Sequence, residues 1–573
     1  MRQQELKVLS LAVAASVGIM ACNPLAKMVK RQNEVNYEVT PNPAEMHGDS
    51  IAITVKGSFP EKYFHKKVSA TVTPVLVYGG SEQAFDAFKL KGEDSEAEGT
   101  VINYEKGGSF THSAVIPYKD GMHMATIELR ATGEFKGKTK DLDGVKAADG
   151  TIITPKLVQP TDKPILGKDK FQKFWMEDNK VEIHYLVNSS VVRGSEMTDA
   201  DIKDLKAKIK AYTQDPKMEF NSLVVDAYAS PEGELSKNDN LANERAASGA
   251  KSIQDLLKSA KVELPEGAAT LTGKGEDWDG FKKLMQESDI KDKELIIRVL
   301  EMYSDLNKRE EEIKNLAATY NEVAKKILPP LRRSQINLVM KHHNLTDDEI
   351  KTLVDTKPDS LDEEQLLYAA TLYNDLSKKE KIYKDFSRIY PNDWRGPNNL
   401  GYVYIQQNKL NEAKAEFDKA MSLSADNPIV HNNLGVIERL KGNIAGAEEH
   451  YAKASGAGSE VNENMGIVNI IKGKYEDAVS NFSGVNSFNA ALANVLQGNT
   501  SAAIGMIDGS AEKDDAISYY LKAIIGARNG DNDLMINNLK TAISKDASLK
   551  QKAKEDAEFI KYRENADFQA VVN

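Results

Sequence analysis

Residues 400–420 read LGYVYIQQNKLNEAKAEFDKA, and residues 434–454 read LGVIERLKGNIAGAEEHYAKA. A leucine-glycine pair, two alanines and one aromatic residue occupy the same places in both stretches, 34 residues apart. Shorter or fainter copies lie at 366–383, 465–482, 497–499 and 529–531. A fixed period of this length indicates stacked units, because one unit cannot bury its apolar face alone. The sequence therefore predicts an all-helical solenoid over residues 361–573.

A 34-residue period with small residues at fixed turns resembles the tetratricopeptide repeat (TPR). Glycine and alanine allow paired helices to approach, and Phe417 and Tyr451 are expected to fill the space behind them. Stacked helix pairs form a groove suited to a segment of another protein. By the register of the repeat family, the residues expected to line this groove are Asn398, Asn432, Tyr402 and Arg439. For each of them, an ordinary interhelical or solvent-exposed role is the alternative.

Length and composition restrict the classes of function. At 573 residues the chain is too long for one core, so several domains are expected. The net charge is −11, and no basic stripe with interleaved aromatic residues occurs, which argues against nucleic-acid binding. The sequence has no metal-binding cluster of histidine and cysteine and no phosphate loop followed by lysine. We therefore expect a protein without catalytic activity or cofactor.

The amino terminus has the pattern of a secretion signal. Basic residues precede an apolar run from Val8 to Met20, which is too short to span a bilayer. The sequence Ile19-Met20-Ala21-Cys22 resembles the lipobox of bacterial lipoproteins, and Cys22 is the only cysteine of the chain. The resemblance implies a signal peptide over 1–21 and a lipid on Cys22. The alternative is an incidental thiol behind an ordinary signal cleavage site. We expect a protein anchored to the periplasmic side of the outer membrane.

Changes in pattern divide the remaining chain into a multidomain arrangement. Alternating apolar residues and glycine turns predict a β-sandwich. The next region mixes strand and helix patterns, with a charged helical insertion. The predicted divisions are a tether at 22–34, a β-sandwich at 35–165, an α/β domain at 170–345 with its insertion at 279–326, a linker at 346–360, and the helical repeats at 361–573.

The α/β domain resembles the C-terminal domain of outer-membrane protein A (OmpA-like), a family that binds peptidoglycan. The resemblance is carried by the stretch DAYASPEG at 226–233, by the pattern NxxLAxxRA at 238–246, and by Leu331-Arg332-Arg333. In that family an aspartate of the loop and an arginine of the helix hold the charged ends of a stem-peptide residue. The resemblance implies candidate peptidoglycan-binding residues at Arg245, Ser230, Tyr228 and Glu232.

Two of these positions qualify the expected activity. Ser230 stands where the family has its aspartate, and a neutral hydroxyl forms a weaker hydrogen bond with an ammonium group than a carboxylate does. Glu232 lies two residues further along and carries a negative charge. Arg245 matches the family's arginine and is suited to bind a carboxylate with two parallel hydrogen bonds. Alternatively, Arg245 pairs with Glu232 or Asp226 and only holds the loop.

Together these features predict a scaffold that docks protein partners through its repeats, within a secretion or outer-membrane assembly complex. The alternative is a tether that links the outer membrane to peptidoglycan through the OmpA-like domain.

Overall fold

The computed structural model describes residues 24–573, except for the side chains of residues 317 and 318. The predicted signal peptide and Cys22 lie outside the described residues. The chain forms two compact units. The first unit combines the chain up to Gly167 with Tyr390–Asn573, and the second unit is Lys168–Ile389.

The first unit begins with a β-rich region, as predicted. Its elements are α1 (Pro24–Lys30), β1 (Asn36–Thr40), β2 (Ala44–His47), β3 (Ser50–Phe59), β4 (Ser69–Tyr78), β5 (Ser81–Ala84), β6 (Phe88–Gly92), β7 (Thr100–Ile102), β8 (Gly108–Pro117), β9 (Ala125–Phe135) and β10 (Lys138–Ile152). The strands are ordered β1-β3-β2-β10-β9-β4-β6-β7, and β8 pairs with β3 while β5 pairs with β4.

Alternation along the strands builds the core of this region. In β3, Ile51, Ile53 and Val55 are buried while the residues between them are more exposed, as the two-residue period of a strand requires. Leu76 of β4 and Ile127 of β9 belong to the same apolar cluster. The strands of the β-rich region therefore share one apolar core.

The predicted tether at 22–34 is wrong for the residues that the structure describes. Residues 24–30 form the helix α1, and Leu25 and Met28 join the core of the β-rich region. Tyr63 donates a hydrogen bond to the carbonyl oxygen of Met28 at 3.0 Å. Burial of two large apolar side chains holds this segment against the strands.

The boundary predicted at residue 165 is also wrong. The last strand of the β-rich region, β10, ends at Ile152, and a short 3-10 helix follows at Thr154–Leu157. Residues 157–167, which we call the groove segment, contact the helical repeats instead of the β-sheet.

The second unit has the predicted mixture of helices and strands. Its elements are β11 (Phe174–His184), α2 (Ala200–Tyr212), β12 (Met218–Ala229), α3 (Leu235–Ser259), β13 (Ala269–Glu276), α4 (Trp278–Glu287), α5 (Lys293–Met302), α6 (Leu306–Asn315), α7 (Ala317–Lys326), α8 (Leu328–Leu331), β14 (Arg333–His343), α9 (Asp347–Thr356), α10 (Glu363–Thr371) and α11 (Leu376–Ile389). The sheet order is β11-β14-β12-β13, and only the β12–β13 pair is parallel.

Three details of this unit bear on the predicted boundaries. The insertion at 279–326 is helical, and its four helices α4 to α7 share a core of their own. The predicted linker at 346–360 is wrong, because it contains α9, which begins with a capping box at Thr346. The predicted repeat at 366–383 is a helix pair, α10 and α11, but it belongs to the second unit, where Tyr368 stacks on Phe171 at 4.3 Å and bonds to Asp347.

The first unit continues with paired helices. They are α12 (Arg395–Gln406), α13 (Leu410–Leu423), α14 (Pro428–Leu440), α15 (Ile444–Lys453), α16 (Glu460–Ile471), α17 (Tyr475–Asn481), α18 (Phe488–Gln497), α19 (Thr500–Asp508), α20 (Ala516–Asn529), α21 (Asn532–Lys545), α22 (Ser548–Glu555) and α23 (Ala566–Val572). The pairs α12/α13 and α14/α15 contain the two stretches that define the 34-residue period.

Glycine in the first helix of a pair makes room for the ring in the second. A Cβ atom on Gly401 would lie 2.6 Å from the ring of Phe417, and one on Gly435 would lie 2.5 Å from the ring of Tyr451. Gly466 has the same relation to the ring of Phe482. Any larger residue at these glycines would push the helices apart. The role predicted for the small residues is therefore confirmed.

Candidate functional site: the groove of the repeats

Four successive repeats place a buried asparagine on the first helix of each pair. They are Asn399 of α12, Asn433 of α14, Asn464 of α16 and Asn489 of α18, and each is at most 2% exposed. We call these four residues the asparagine ladder. Buried side-chain amides are costly unless their donors and acceptors are satisfied. The chain itself satisfies them.

The groove segment runs along the asparagine ladder. Each asparagine accepts a hydrogen bond from the backbone N–H of one residue and donates one to the C=O of that same residue. The two distances are 2.7 and 2.8 Å for Asn399 with Gly167, 2.7 and 2.8 Å for Asn433 with Ile165, 2.8 and 3.0 Å for Asn464 with Lys163, and 2.8 and 2.8 Å for Asn489 with Gln159.

The spacing of these contacts follows from the geometry of an extended chain. Alternate residues of such a chain present their peptide groups on the same side, so Lys163, Ile165 and Gly167 each meet one repeat. Pro160 and Pro164 fall between the bonded residues, where no N–H is needed. Proline also keeps its neighbourhood extended. The sequence of the groove segment therefore suits the ladder.

Side chains of the groove segment add specific contacts. Asp162 receives two hydrogen bonds from the guanidinium of Arg439, one of them from Nε at 2.7 Å, and the two side chains are 3% and 11% exposed. Burial raises the pKa of the Asp162 carboxyl, although the charge of Arg439 acts in the opposite direction. Ile165 is buried against Val436, Tyr451 and other apolar residues of the repeats. These contacts fix the register of the segment.

Three of the four predicted groove residues contact the groove segment. Asn398 donates to the carbonyl oxygen of Ile165 at 3.2 Å, and Asn432 donates to that of Lys163 at 2.9 Å. Arg439 holds Asp162, while Tyr402 is half-buried on α12. The ladder itself is not among the features predicted from the sequence, although the 34-residue separation of Asn399 and Asn433 could have revealed it.

A buried ion pair holds the chain just before the groove segment. Thr154 donates a hydrogen bond to Glu558, whose side chain is 2% exposed. Arg528 of α20 also binds Glu558, with Nε 3.0 Å from Oε2. The end of the β-rich region is thus fixed to the last repeats at the point where the chain enters the groove.

Two histidines of the repeats predict a dependence of stability on pH. Nδ1 of His431 and Nδ1 of His450 lie 3.0 Å apart, so at least one ring must be neutral to accept the hydrogen bond. Burial lowers the pKa of both histidines, and Lys453 lowers that of His431 further. A depressed pKa in the folded state means that the unfolded state binds more protons as the pH falls below the ordinary histidine value.

The first unit should therefore lose stability as the pH falls below about 6.5, and keep this contribution above that value. We expect the urea midpoint of its unfolding to fall between pH 7.5 and pH 5.5, and to fall less in His450→Gln, which has one titrating ring fewer. An equal pH dependence in both proteins would contradict this prediction.

In the second unit, the guanidinium of Arg245 points inward. Arg245 is 1% exposed and donates to the carbonyl oxygens of Ser189, Tyr228 and Leu186 at 3.0, 2.9 and 3.2 Å. Its guanidinium also lies 5.2 Å from the ring centre of Tyr185. Burial lowers the pKa of Arg245 to about 10, so it stays charged at neutral pH. Arg245 holds the loop that contains Leu186 and Ser189 to the end of β12 through backbone carbonyls, and neither predicted carboxylate partner is among these contacts.

The other candidate residues contact two different arginines, Arg332 and Arg333. Arg332 donates to Glu232 Oε1 from Nη2 at 2.7 Å and to Ser230 Oγ from Nε at 3.2 Å. Ser230 also donates to Glu232 at 2.7 Å, while Tyr228 lies beneath the guanidinium of Arg333. Arg245 is buried, and its guanidinium is engaged by three backbone carbonyl oxygens. Peptidoglycan binding stays a prediction from the resemblance.

Arg245→Lys is expected to destabilise the second unit. One ammonium group cannot reach three carbonyl oxygens that a planar guanidinium spans, so buried acceptors lose their donors, at a cost of about 2–4 kcal/mol. The shift appears in the urea midpoint of the second unit. Arg298→Lys on the exposed face of α5 is the control and should change little. Equal midpoints for the two variants would refute the supporting role of Arg245.

From residue 24 onward, no helix is long and apolar enough to cross a membrane. Within the same range, the structure brings no three potential metal-ligating side chains together into a cluster.

Comparison with known proteins supports the helical repeats. Residues 401–442 match the family model described as TPR repeat. The chain is therefore a multidomain protein with a β-rich N-terminal region and a C-terminal all-helical, TPR-like region, and the matched repeat supports a role in protein–protein interaction. No curated protein sequence matches the chain.

Several solved structures are similar to parts of the chain. A tetratricopeptide repeat protein from Parabacteroides merdae is 14% identical over 37% of this chain and 90% of its own, with a TM-score of 0.28. PilF from Pseudomonas aeruginosa is 18% identical over 39% and 97%, with a TM-score of 0.27. YrrB, described as a TPR protein with an unusual peptide-binding site, is 16% identical over 37% and 100%, with a TM-score of 0.23. These scores lie below 0.5, so the similarities assign neither an overall fold nor a function.

Proposed function

We propose that the protein is a non-enzymatic scaffold that docks protein partners through its TPR region. We further propose that a lipid on Cys22 anchors it to the periplasmic side of the outer membrane, within a secretion or assembly complex. The observation that carries the docking role is the asparagine ladder, which already binds an extended polypeptide. A surface that satisfies the peptide groups of a chain is built for protein recognition.

Photo-crosslinking in the full-length protein tests the scaffold role. A crosslinking residue at Leu423, which is 40% exposed on α13, should give adducts with a reproducible set of envelope proteins. The matched control carries the same crosslinking amino acid in place of Lys56, at an exposed position of β3, and should give fewer adducts. Equal adduct patterns at the two sites, or none at Leu423, would count against docking through the repeats.

Fractionation tests the proposed anchor. Cys22→Ala should move the protein from the membrane fraction to the soluble fraction, because multiple acyl chains hold a protein far more firmly than surface contacts do. An unchanged membrane fraction would refute the lipid anchor and leave the crosslinking result unaffected.

A further inference from the structure

The asparagine ladder binds mainly the main chain of the groove segment, and Asn489 also donates to the hydroxyl oxygen of Thr161 at 3.0 Å. Each ladder amide accepts a hydrogen bond from the N–H and donates one to the C=O of a single residue. Any extended segment with free N–H groups at alternate positions could form the same bonds. The ladder alone therefore gives affinity without selecting a sequence.

Besides the contacts of Leu157 and Thr161 with the repeats, two side-chain contacts of the occupant give selectivity. The fork of Arg439 requires a carboxylate at the position of Asp162, and a neutral group there would leave a charge at 11% exposure without its partner. Three residues further on, the site of Ile165 is enclosed by apolar residues and favours a branched aliphatic side chain. The ladder asparagines bond to residues 163 and 165, so the occupant needs no N–H at position 164, where this chain has proline.

The covalent connection of the groove segment decides which chain occupies the groove. A ligand tethered by a short connection competes at an effective concentration on the order of millimolar. A free segment of equal intrinsic affinity at about 10 μM would then occupy roughly 1% of the grooves. The groove is closed to outside chains while residues 157–167 remain in it.

We propose that residues 157–167 are a resident intramolecular ligand of the TPR groove. A partner that uses this groove is an extended protein segment with a carboxylate three residues before a branched aliphatic residue, and it binds only by displacing the resident segment. This inference rests on the proposed docking function and specifies the ligand of the same surface.

Peptide binding to the full-length protein tests the inference. The probe is a fluorescent synthetic peptide with the sequence of residues 155–169, measured by anisotropy. Asp162→Lys combined with Ile165→Glu should expel the resident segment, so this variant should bind the probe at least tenfold more tightly than the wild type does. Lys414→Glu, on the exposed face of α13, is the control and should behave like the wild type. A probe with alanine in place of Asp162 should lose at least tenfold in affinity.

A charge swap keeps the test decisive if the first variant does not fold. Arg439→Asp should bind a probe with lysine in place of Asp162 more tightly than the unaltered probe. Equal affinity of the wild type and the opened variant for the probe would show that the resident segment does not block the groove. Absence of probe binding to folded protein in both the opened and the swapped variants would overturn the proposal. Neither of these results changes the outcome expected for crosslinking at Leu423. Failure of this inference can therefore be distinguished from failure of the proposed scaffold role.

Discussion

Asn433→Ala is expected to lower the free energy of unfolding of the first unit by about 3 kcal/mol. Asn433 is fully buried, and its side chain bonds to both peptide groups of Ile165 and to Asn398. Alanine leaves the buried N–H of Ile165 without an acceptor, and each buried polar group without a partner costs roughly 1–3 kcal/mol. Urea unfolding followed by circular dichroism measures the change.

Asn494→Ala is the matched control for this prediction. Asn494 is also a buried asparagine of the repeats, at 3% exposure, but it bonds to Ala490 and Met506 within the helices. Its loss should cost about 1 kcal/mol, as expected for an ordinary hydrogen bond. If the two variants were equally destabilised, the contacts with the groove segment would contribute nothing beyond helix packing.

Arg439→Ala is expected to destabilise the first unit by about 3–5 kcal/mol. The substitution leaves the Asp162 carboxylate, at 3% side-chain exposure, without its counter-charge, and an unpaired buried charge is strongly unfavourable. The double variant Asp162→Asn with Arg439→Met should recover most of this loss, because it removes both charges together. The same unfolding experiment compares the three proteins.

Lys414→Ala serves as the control for the ion pair. Lys414 and Asp418 form an exposed pair on α13, and exposed pairs contribute little. If Arg439→Ala were as mild as Lys414→Ala, or if the double variant were as unstable as the single one, the buried ion pair would not hold the groove segment.

Sequence reasoning found the repeats because their spacing has a direct structural cause. Gly401 lies against the ring of Phe417, and 34 residues later Gly435 lies against the ring of Tyr451. Because each glycine makes room for its ring, the two positions recur together. The alternation in β3 likewise reflects one buried face. Such features depend on side-chain size and polarity, which can be read directly from the residue types.

The missed features depend on main-chain groups, which a sequence does not display. Arg245 was recognised, but its acceptors are the carbonyl oxygens of Ser189, Tyr228 and Leu186, and any residues at those positions would supply them. The sequence pattern puts residues 157–165 in the predicted β-sandwich for the same reason, since the ladder binds their peptide groups. In the sequence, only Pro160, Pro164 and the separation of the ladder asparagines indicate the contact between the groove segment and the ladder.

Hydrogen exchange at the groove segment tests the central claim most directly. In the wild-type protein at neutral pH, the amides of Gln159, Lys163, Ile165 and Gly167 should exchange as slowly as the buried amides of α14, because ladder asparagines accept their hydrogen bonds. Exchange of these four amides at the rate of an unstructured peptide, with α14 still protected, would contradict occupation of the groove by its own chain.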